Sequence, residues 1–531
     1  MAALLPFIDK PAHIDDPVYI WCAQHIQKHP LDFYGFEINW EGQQASVASL
    51  NQNPPLVSYY MALVGSVLGW SEISLHLGLL VPALAVVIGT FFLAGHFCAQ
   101  PMIPALITAT APVFVLCSST LMSDISMLAC WVWAAHFWFE GWGSNHKLKL
   151  VFAAVLISAS ALTKYFGAAL IPLLLVYSLV ERRKLSATLA VLLIPVIVLA
   201  CYQWLTRHLY GHGLLSNAAS YATTLRVGGA LPWKCLTAVA FAGGCVLIIL
   251  PLIPSIWGRK GVLCGLGGSV LLGVFLYMAK KAGSFPLVHN GQVNWAVLLQ
   301  LAVFSMVGFS ILVLVVFDLS SRRDAGSTFL ALWIAGTFLF AAAVNWTVSG
   351  RTILPILPAV GLLVARRLEH RRPTGPESSG PIRPALYVPA LLFSFVIALM
   401  VTQADYNLAL SARNAAFILK NQIGAGANTI WFEGHWGFQY YMQKLGGKAL
   451  DRQHLMLQPK DAVLAPMQNS YLFPLPEDST VPWFQYACTP SRWLVTMNAA
   501  CGAGFYADSW GPLPFAAGKA PAEEYWAFHV K

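Results

Sequence analysis

The chain has 531 residues, 57% of them hydrophobic and 10% charged, with a formal net charge of +9. Soluble domains carry roughly 25% charged residues. So few polar groups cannot cover a globule, which excludes a soluble fold and makes lipid the main solvent.

In chain order, "MAALLPFIDK" has no basic n-region and too short an apolar stretch for a cleavable signal peptide. "PAHIDDPVYIWCAQHI" (11–26) follows, with two adjacent carboxylates ahead of a proline. Asp is a favoured N-cap and Pro a favoured first helical residue, so Asp16 reads as the cap of a helix over 17–28. That leaves Asp15 unexplained. Two like charges at a low-dielectric surface disfavour each other's ionisation unless a cation, a metal or a proton relieves them. Residues 55–70, "PLVSYYMALVGSVLGW", read as a helix in the interface, with aromatics at headgroup level. Residues 1–73 thus form a long external loop carrying two short helices.

Apolar runs of about 17–25 residues span a bilayer. Twelve follow: 74–98, 102–119, 121–142, 148–163, 165–180, 185–206, 235–258, 261–279, 295–318, 327–348, 352–368 and 385–403. The basic residues fall in short gaps between them: "NHKLK" (145–149), "ERRK" (181–184), "GRK" (258–260), "SRRD" (321–324) and "RRLEHRR" (366–372). This is the positive-inside pattern, so topology rather than nucleic acid accounts for the basicity. The gaps are then cytoplasmic, as is the polar linker 369–384. Residues 1–73, 207–234, 280–294 and 404–531 share the other, external side. The tail 404–531 contains strand-like "NTIWFEG", "KDAVLAP" and "EEYWAFHV" and helix-like "HWGFQYYMQKL", which predicts a small α/β domain. The expected fold is an all-α polytopic membrane protein closed by that domain. Eight of the ten cysteines lie in or beside the membrane part; Cys488 and Cys501 lie in the tail, where spacing leaves a disulfide open.

Asp124 lies at the external end of the span 121–142. It reads equally as an N-cap or as an acid facing a cavity or partner. Among external cations, Lys280 and Lys281 read as lipid-headgroup anchors. Arg207, Arg226 and Lys234 lie in external loops. Lys164 and Arg351 sit in tight turns, where each can point inward. Carboxylates facing cations at the membrane surface suit an anionic lipid substrate: the cations stabilise phosphate charge and a carboxylate takes a proton. External histidines (His13, His25, His29, His208, His212, His289) leave a divalent-cation site open, although Gly211 argues against a helical His208–His212 pair. The chain has no P-loop and no dinucleotide fingerprint. With no cytoplasmic domain large enough for a nucleotide, a membrane-carried donor is favoured and no nucleotide cofactor is expected.

The acidic pair, "NPPLVSYYMAL" (53–63), Asp124, "LTKYFGAALIPLLLVY" (162–177) and "RTILPILPAVGLLVAR" (351–366), in this order, resemble the bacterial glycosyltransferase 39 family over roughly residues 7–403. That family holds protein O-mannosyltransferases and the lipid A aminoarabinose transferase, within the GT-C superfamily. The resemblance implies a multi-pass inner-membrane enzyme with its active site and tail on the periplasmic side. It implies a polyprenyl-phosphate sugar as donor, an envelope lipid, glycan or protein as acceptor, and inversion at the anomeric carbon. Carried over by position, Asp15 or Asp16 is the base, Asp15 preferred, and Asp124 fills the second acidic position. Lys164 and Arg351 meet the donor phosphate, while Asn53, Pro54 and Tyr165 support the loop. The family pattern also has a transmembrane helix ahead of the acidic loop, where this chain has "MAALLPF". It often has Lys, His or Glu just before "PP", where this chain has "NQN" (51–53). The alternatives are a lipid-linked sugar transporter, which would carry charges inside its helices or show paired inverted halves, and a polysaccharide ligase or polymerase.

Overall fold

The structure is a computed structural model that describes residues 2–183, 186–224, 230–279, 281–282, 285–289, 291–371, 382–475 and 478–531. Arg226 and Lys280, and the side chains of Lys281 and His289, lie outside the described residues, as does most of the linker.

Among the described residues, seven helices are long and apolar enough to cross a membrane: Glu72–Ala94, Tyr165–Arg182, Ala187–Tyr210, Ile249–Ala279, Trp295–Arg322, Ala325–Val344 and Val388–Ile423. With them the chain is a multi-pass membrane protein. The other expected spans are also helical but shorter, broken or less apolar. Asp124–Ser144 is one helix, ended by Asn145 in the left-handed region, and Lys147–Thr163 follows it. The run 102–119 divides into Met102–Thr110 and Pro112–Cys117, because Pro112 forces Ala111 into extended backbone. The run 352–368 divides into Gly350–Ile353, Leu354–Ile356 and Leu357–His370, with Pro355 and Pro358 at the joints. One expectation needs correcting: 235–258 is not a single span. A helix Leu231–Cys245 ends there, and Ile249–Ala279 then runs on through a kink at Gly258.

The two short helices of the first segment are present as Asp16–Lys28 and Leu56–Leu68, with a hairpin, Glu37–Asn39 and Gln44–Ser46, between them. The tail differs in its start. The last membrane helix continues to Ile423, well past residue 404, because its polar-flanked end still buries Ala404, Asp405, Ala415 and Leu419. Beyond it lies a five-stranded mixed sheet in the order Thr480–Cys488, Glu523–Val530, Ala462–Pro466, Ile430–Phe432, Lys448–Ala449. The helix Trp436–Lys444 covers it, so the small α/β domain is as expected. Cys488 and Cys501 are free thiols.

The tail domain sits on the first segment. The Tyr441 hydroxyl accepts from Ala12 N at 2.9 Å, Gln439 Nε2 donates to Asn39 O at 2.6 Å and Arg452 N to Gly42 O at 2.9 Å. Asp124 and Ser144 end the same helix, so the basic gap that begins at 145 lies at the far end of the bundle from this assembly.

Candidate functional site

A cavity of about 530 Å³ opens between the first segment and the bundle. Four stretches build it. The first segment contributes Asp15, Tyr19, Trp40 and Asn53; the turn after Lys147–Thr163 gives Lys164, Tyr165 and Phe166. The helix Leu214–Thr224 gives Leu215 and Ala218, and the stretch 336–352 gives Leu339, Trp346 and Arg351. Its lining holds both charged side chains (Asp15, Glu41, Lys164, Arg351) and apolar ones.

Asp15 lines the cavity with 38% of its side chain exposed, and its Oδ2 lies 3.3 Å from Arg351 Nη1. Arg351 comes from Gly350–Ile353, a helical turn made possible by a capping box: Ser349 accepts from Thr352 N, and Thr352 Oγ1 accepts from Ser349 N. Arg351 Nε is buried without a partner among the described residues. Lys164 lines the cavity and makes an ion pair with Asp124, which is buried at the first position of its helix. Asp124 does not itself line the cavity; it anchors Lys164.

Asp16 differs from the expected cap. The residue in the cap position is Asp15, whose side chain makes no capping bond, and Asp16 is the first helical residue. Asp16 is fully buried and accepts from His13 N at 3.0 Å and from Leu121 N at 2.9 Å. It ties the first segment to the bundle and does not reach the cavity. Burial pushes its carboxyl up to about 7, against the pull of Lys10 and of its two N–H donors.

Asn53 lines the cavity and is held by Asn51, whose Oδ1 accepts its N–H at 3.0 Å. Tyr165 also lines it, its hydroxyl 3.1 Å from that of Tyr202. Pro54 is buried just before Leu56–Leu68 and does not line the cavity. Sequence reasoning missed Tyr19, Trp40, Glu41 and Trp346. Tyr19 was readable, since it lies four residues after Asp15 on one helix face. The others come from a hairpin and a π-helical end that no local pattern announces. Lys234, expected in an external loop, is buried and donates to Trp346 O at 2.7 Å.

A second charged cluster was also missed. Lys10 and Asp405, both fully buried, pair at 2.6 Å. Asp405 also accepts from Thr496 Oγ1 at 2.9 Å and the Tyr506 hydroxyl at 2.7 Å. His13 Nε2 lies 3.7 Å away, and burial lowers its pKa to about 4, against the pull of Asp405.

Two carboxylates, Asp15 and Glu41, line the cavity. Asp15 shares its cavity with two cationic side chains, and among the described residues no three His, Cys, Asp or Glu side chains converge as a metal site. His208 lies in the helix Leu193–Tyr210, whereas His212 lies past Gly211, which ends that helix at φ 77°.

Residues 52–206 match the model of the dolichyl-phosphate-mannose-protein mannosyltransferase family. The matched stretch holds Asn53, Pro54, Asp124, Lys164 and Tyr165; Asp15, Asp16 and Arg351 lie outside it. No curated protein matches the chain. Among solved structures, the archaeal oligosaccharyltransferase AglB from Archaeoglobus fulgidus, in complex with an inhibitory peptide and a dolichol-phosphate, is similar with 12% identity and TM-score 0.49. The alignment covers 86% of this chain and 66% of that one, so the chain spans under two thirds of the length of that relative. ArnT from Cupriavidus metallidurans, bound to undecaprenyl phosphate, is similar with 13% identity and TM-score 0.44, over 88% of this chain and 92% of that one.

Proposed function

We propose that the chain is an integral-membrane glycosyltransferase that moves a sugar from a polyprenyl-phosphate donor to a hydroxyl of an envelope lipid, glycan or protein, on the face of the membrane that carries the tail domain. The observation that carries this reading is the cavity's polarity. Its lining combines two cations, Lys164 and Arg351, and two carboxylates, Asp15 and Glu41, with apolar residues such as Phe166, Leu339, Phe340 and Val344. A lipid phosphate likewise combines charged and apolar parts. The match of residues 52–206 to a family named for a dolichyl-phosphate-mannose donor supports it.

In this reading Lys164 and Arg351 bind the donor phosphate, with the unpartnered Arg351 Nε free to donate to a phosphate oxygen. The Asp15 carboxylate takes the proton of the acceptor hydroxyl. That oxygen attacks the anomeric carbon, and the bond from this carbon to the phosphate oxygen breaks with its electron pair. Polyprenyl phosphate leaves as an anion, neutralised by the two cations, and the configuration inverts. Binding the donor draws Arg351 from Asp15 towards phosphate, which releases the carboxylate for the acceptor. The basic gaps at the far end of the bundle support a cavity on the external side, which in a bacterial cell is the periplasm.

The test is mass spectrometry of envelope glycolipids and glycoproteins from cells with and without the gene. The reading expects a sugar-bearing species that disappears with the gene. Identical profiles, together with no transfer from any polyprenyl-phosphate sugar in proteoliposomes, would refute it.

A further inference from the structure

The tail domain lines none of the cavity, yet one of its loops grips both walls. The N–H of Gly350 donates to Phe505 O at 2.8 Å, and that of Asp508 to Val348 O at 2.9 Å. Asp508 Oδ1 accepts from Thr347 Oγ1 at 2.5 Å and from Val348 N at 3.2 Å. These bonds hold Thr347, Val348 and Gly350, three of the four residues just ahead of Arg351. Gly350 has no side chain because the Phe505 ring fills its place: a Cβ there would stand 2.4 Å from Phe505 Cε2. The same loop reaches the opposite wall. The Tyr506 hydroxyl holds Asp405, the partner of Lys10, and the Tyr506 ring meets His13 edge-on at 5.3 Å, two residues before Asp15. The Arg351 guanidinium lies 5.7 Å from the centre of that ring.

We infer that Asp508 is a positioning residue for the transfer reaction: through Thr347 and Val348 it sets the turn that aims Arg351 at the donor phosphate. The inference rests on the reading of the cavity as the donor site. Asp508 is buried and does not line the cavity, so its influence on the donor passes through the turn it holds.

The test measures transfer kinetics and polyprenyl-phosphate binding in proteoliposomes for Asp508→Ala, Asp508→Asn, Arg351→Ala and the pair Asp508→Ala with Arg351→Ala. Asp508→Ala is expected to raise the donor KM on the order of ten-fold, with a smaller fall in kcat, since small misplacements of a clamping group cost about this much or more. Asp508→Asn, which keeps an oxygen for Thr347 and Val348, restores donor use. With Arg351 absent, Asp508→Ala adds nothing further, the mark of a residue that acts through its neighbour. An undiminished effect of Asp508→Ala in the Arg351→Ala background overturns the inference, as does an Asp508→Asn variant as impaired as Asp508→Ala. Should Asp508→Ala not fold, Gly350→Ala, which displaces Phe505, takes its place with the same expected coupling to Arg351. If Arg351→Ala leaves donor binding untouched, the donor-site reading itself has failed. If Arg351→Ala weakens binding and neither Asp508→Ala nor Gly350→Ala does, only the positioning role has.

Discussion

Arg351 Nη1 meets Asp15 Oδ2 at 3.3 Å, across 336 residues of chain. The contact joins the first segment to the turn that follows the helix Ala325–Val344, and both residues line the cavity. Asp16, one residue along, turns the other way and binds backbone. The two neighbours therefore have separable tasks, and single substitutions tell them apart. Asp15→Asn should cut sugar transfer by roughly a hundred-fold or more, the scale of a lost general base, while thermal stability in detergent stays near that of the parent. Asp16→Asn should do the reverse, lowering the unfolding temperature more than the rate per folded molecule.

Asp16 also gives a signed pH dependence. The folded chain holds its proton up to about pH 7. An unfolded Asp loses it near pH 4. Between these values the folded state binds more protons, so this group's stabilisation, full below about pH 4, is lost as pH rises towards about 7. The parent's advantage in unfolding temperature over Asp16→Asn should therefore shrink from pH 5 to pH 8. An advantage that grows with pH would contradict the burial of this carboxyl.

Asp124 holds Lys164 by an ion pair. Lys164→Ala should weaken donor use more than acceptor use, seen as a donor KM raised by about ten-fold with the acceptor KM little changed. Asp124→Asn should shift the donor KM the same way and by less, because Lys164 stays but loses its anchor. A change confined to the acceptor KM would place Lys164 elsewhere in the reaction.

Lys10 and Asp405 are a buried pair that pins the first segment to the last helix and, through Tyr506 and Thr496, to the tail domain. Lys10→Met leaves a buried carboxylate without its cation and should destabilise the fold by about 3 kcal/mol or more, whereas Lys10→Met with Asp405→Leu recovers most of the loss. Thermal unfolding of the purified variants checks both.

Much of this fold was legible because lipid is its solvent. Long apolar runs mark the helices, and the basic gap 258–260 falls at the kink at Gly258, whereas the break at Ala111 ahead of Pro112 lay hidden inside the run 102–119. The strands Ala462–Pro466 and Glu523–Val530, both found in sequence, lie side by side in the tail sheet. What stayed hidden depends on partners far along the chain. Asp16 looked like a local cap, yet one of its oxygens serves Leu121, 105 residues away. Hydropathy falls at residue 404, but the helix continues to Ile423 because the tail domain buries its far end. Lys10 stood in a stretch with no periodicity, and nothing nearby announces that Asp405 neutralises it. Of the candidate site, Asp15, Lys164, Arg351, Asn53 and Tyr165 do meet in one cavity; Asp124 backs it, and Asp16 and Pro54 stand outside.

The most direct measurement is transfer of a radiolabelled sugar from a polyprenyl-phosphate donor in proteoliposomes, run side by side for the parent chain and Asp15→Asn at matched amounts of folded protein. The account predicts transfer by the parent and a rate lower by roughly a hundred-fold or more in the variant. Equal rates would contradict the assignment of Asp15 as the group that takes the acceptor's proton.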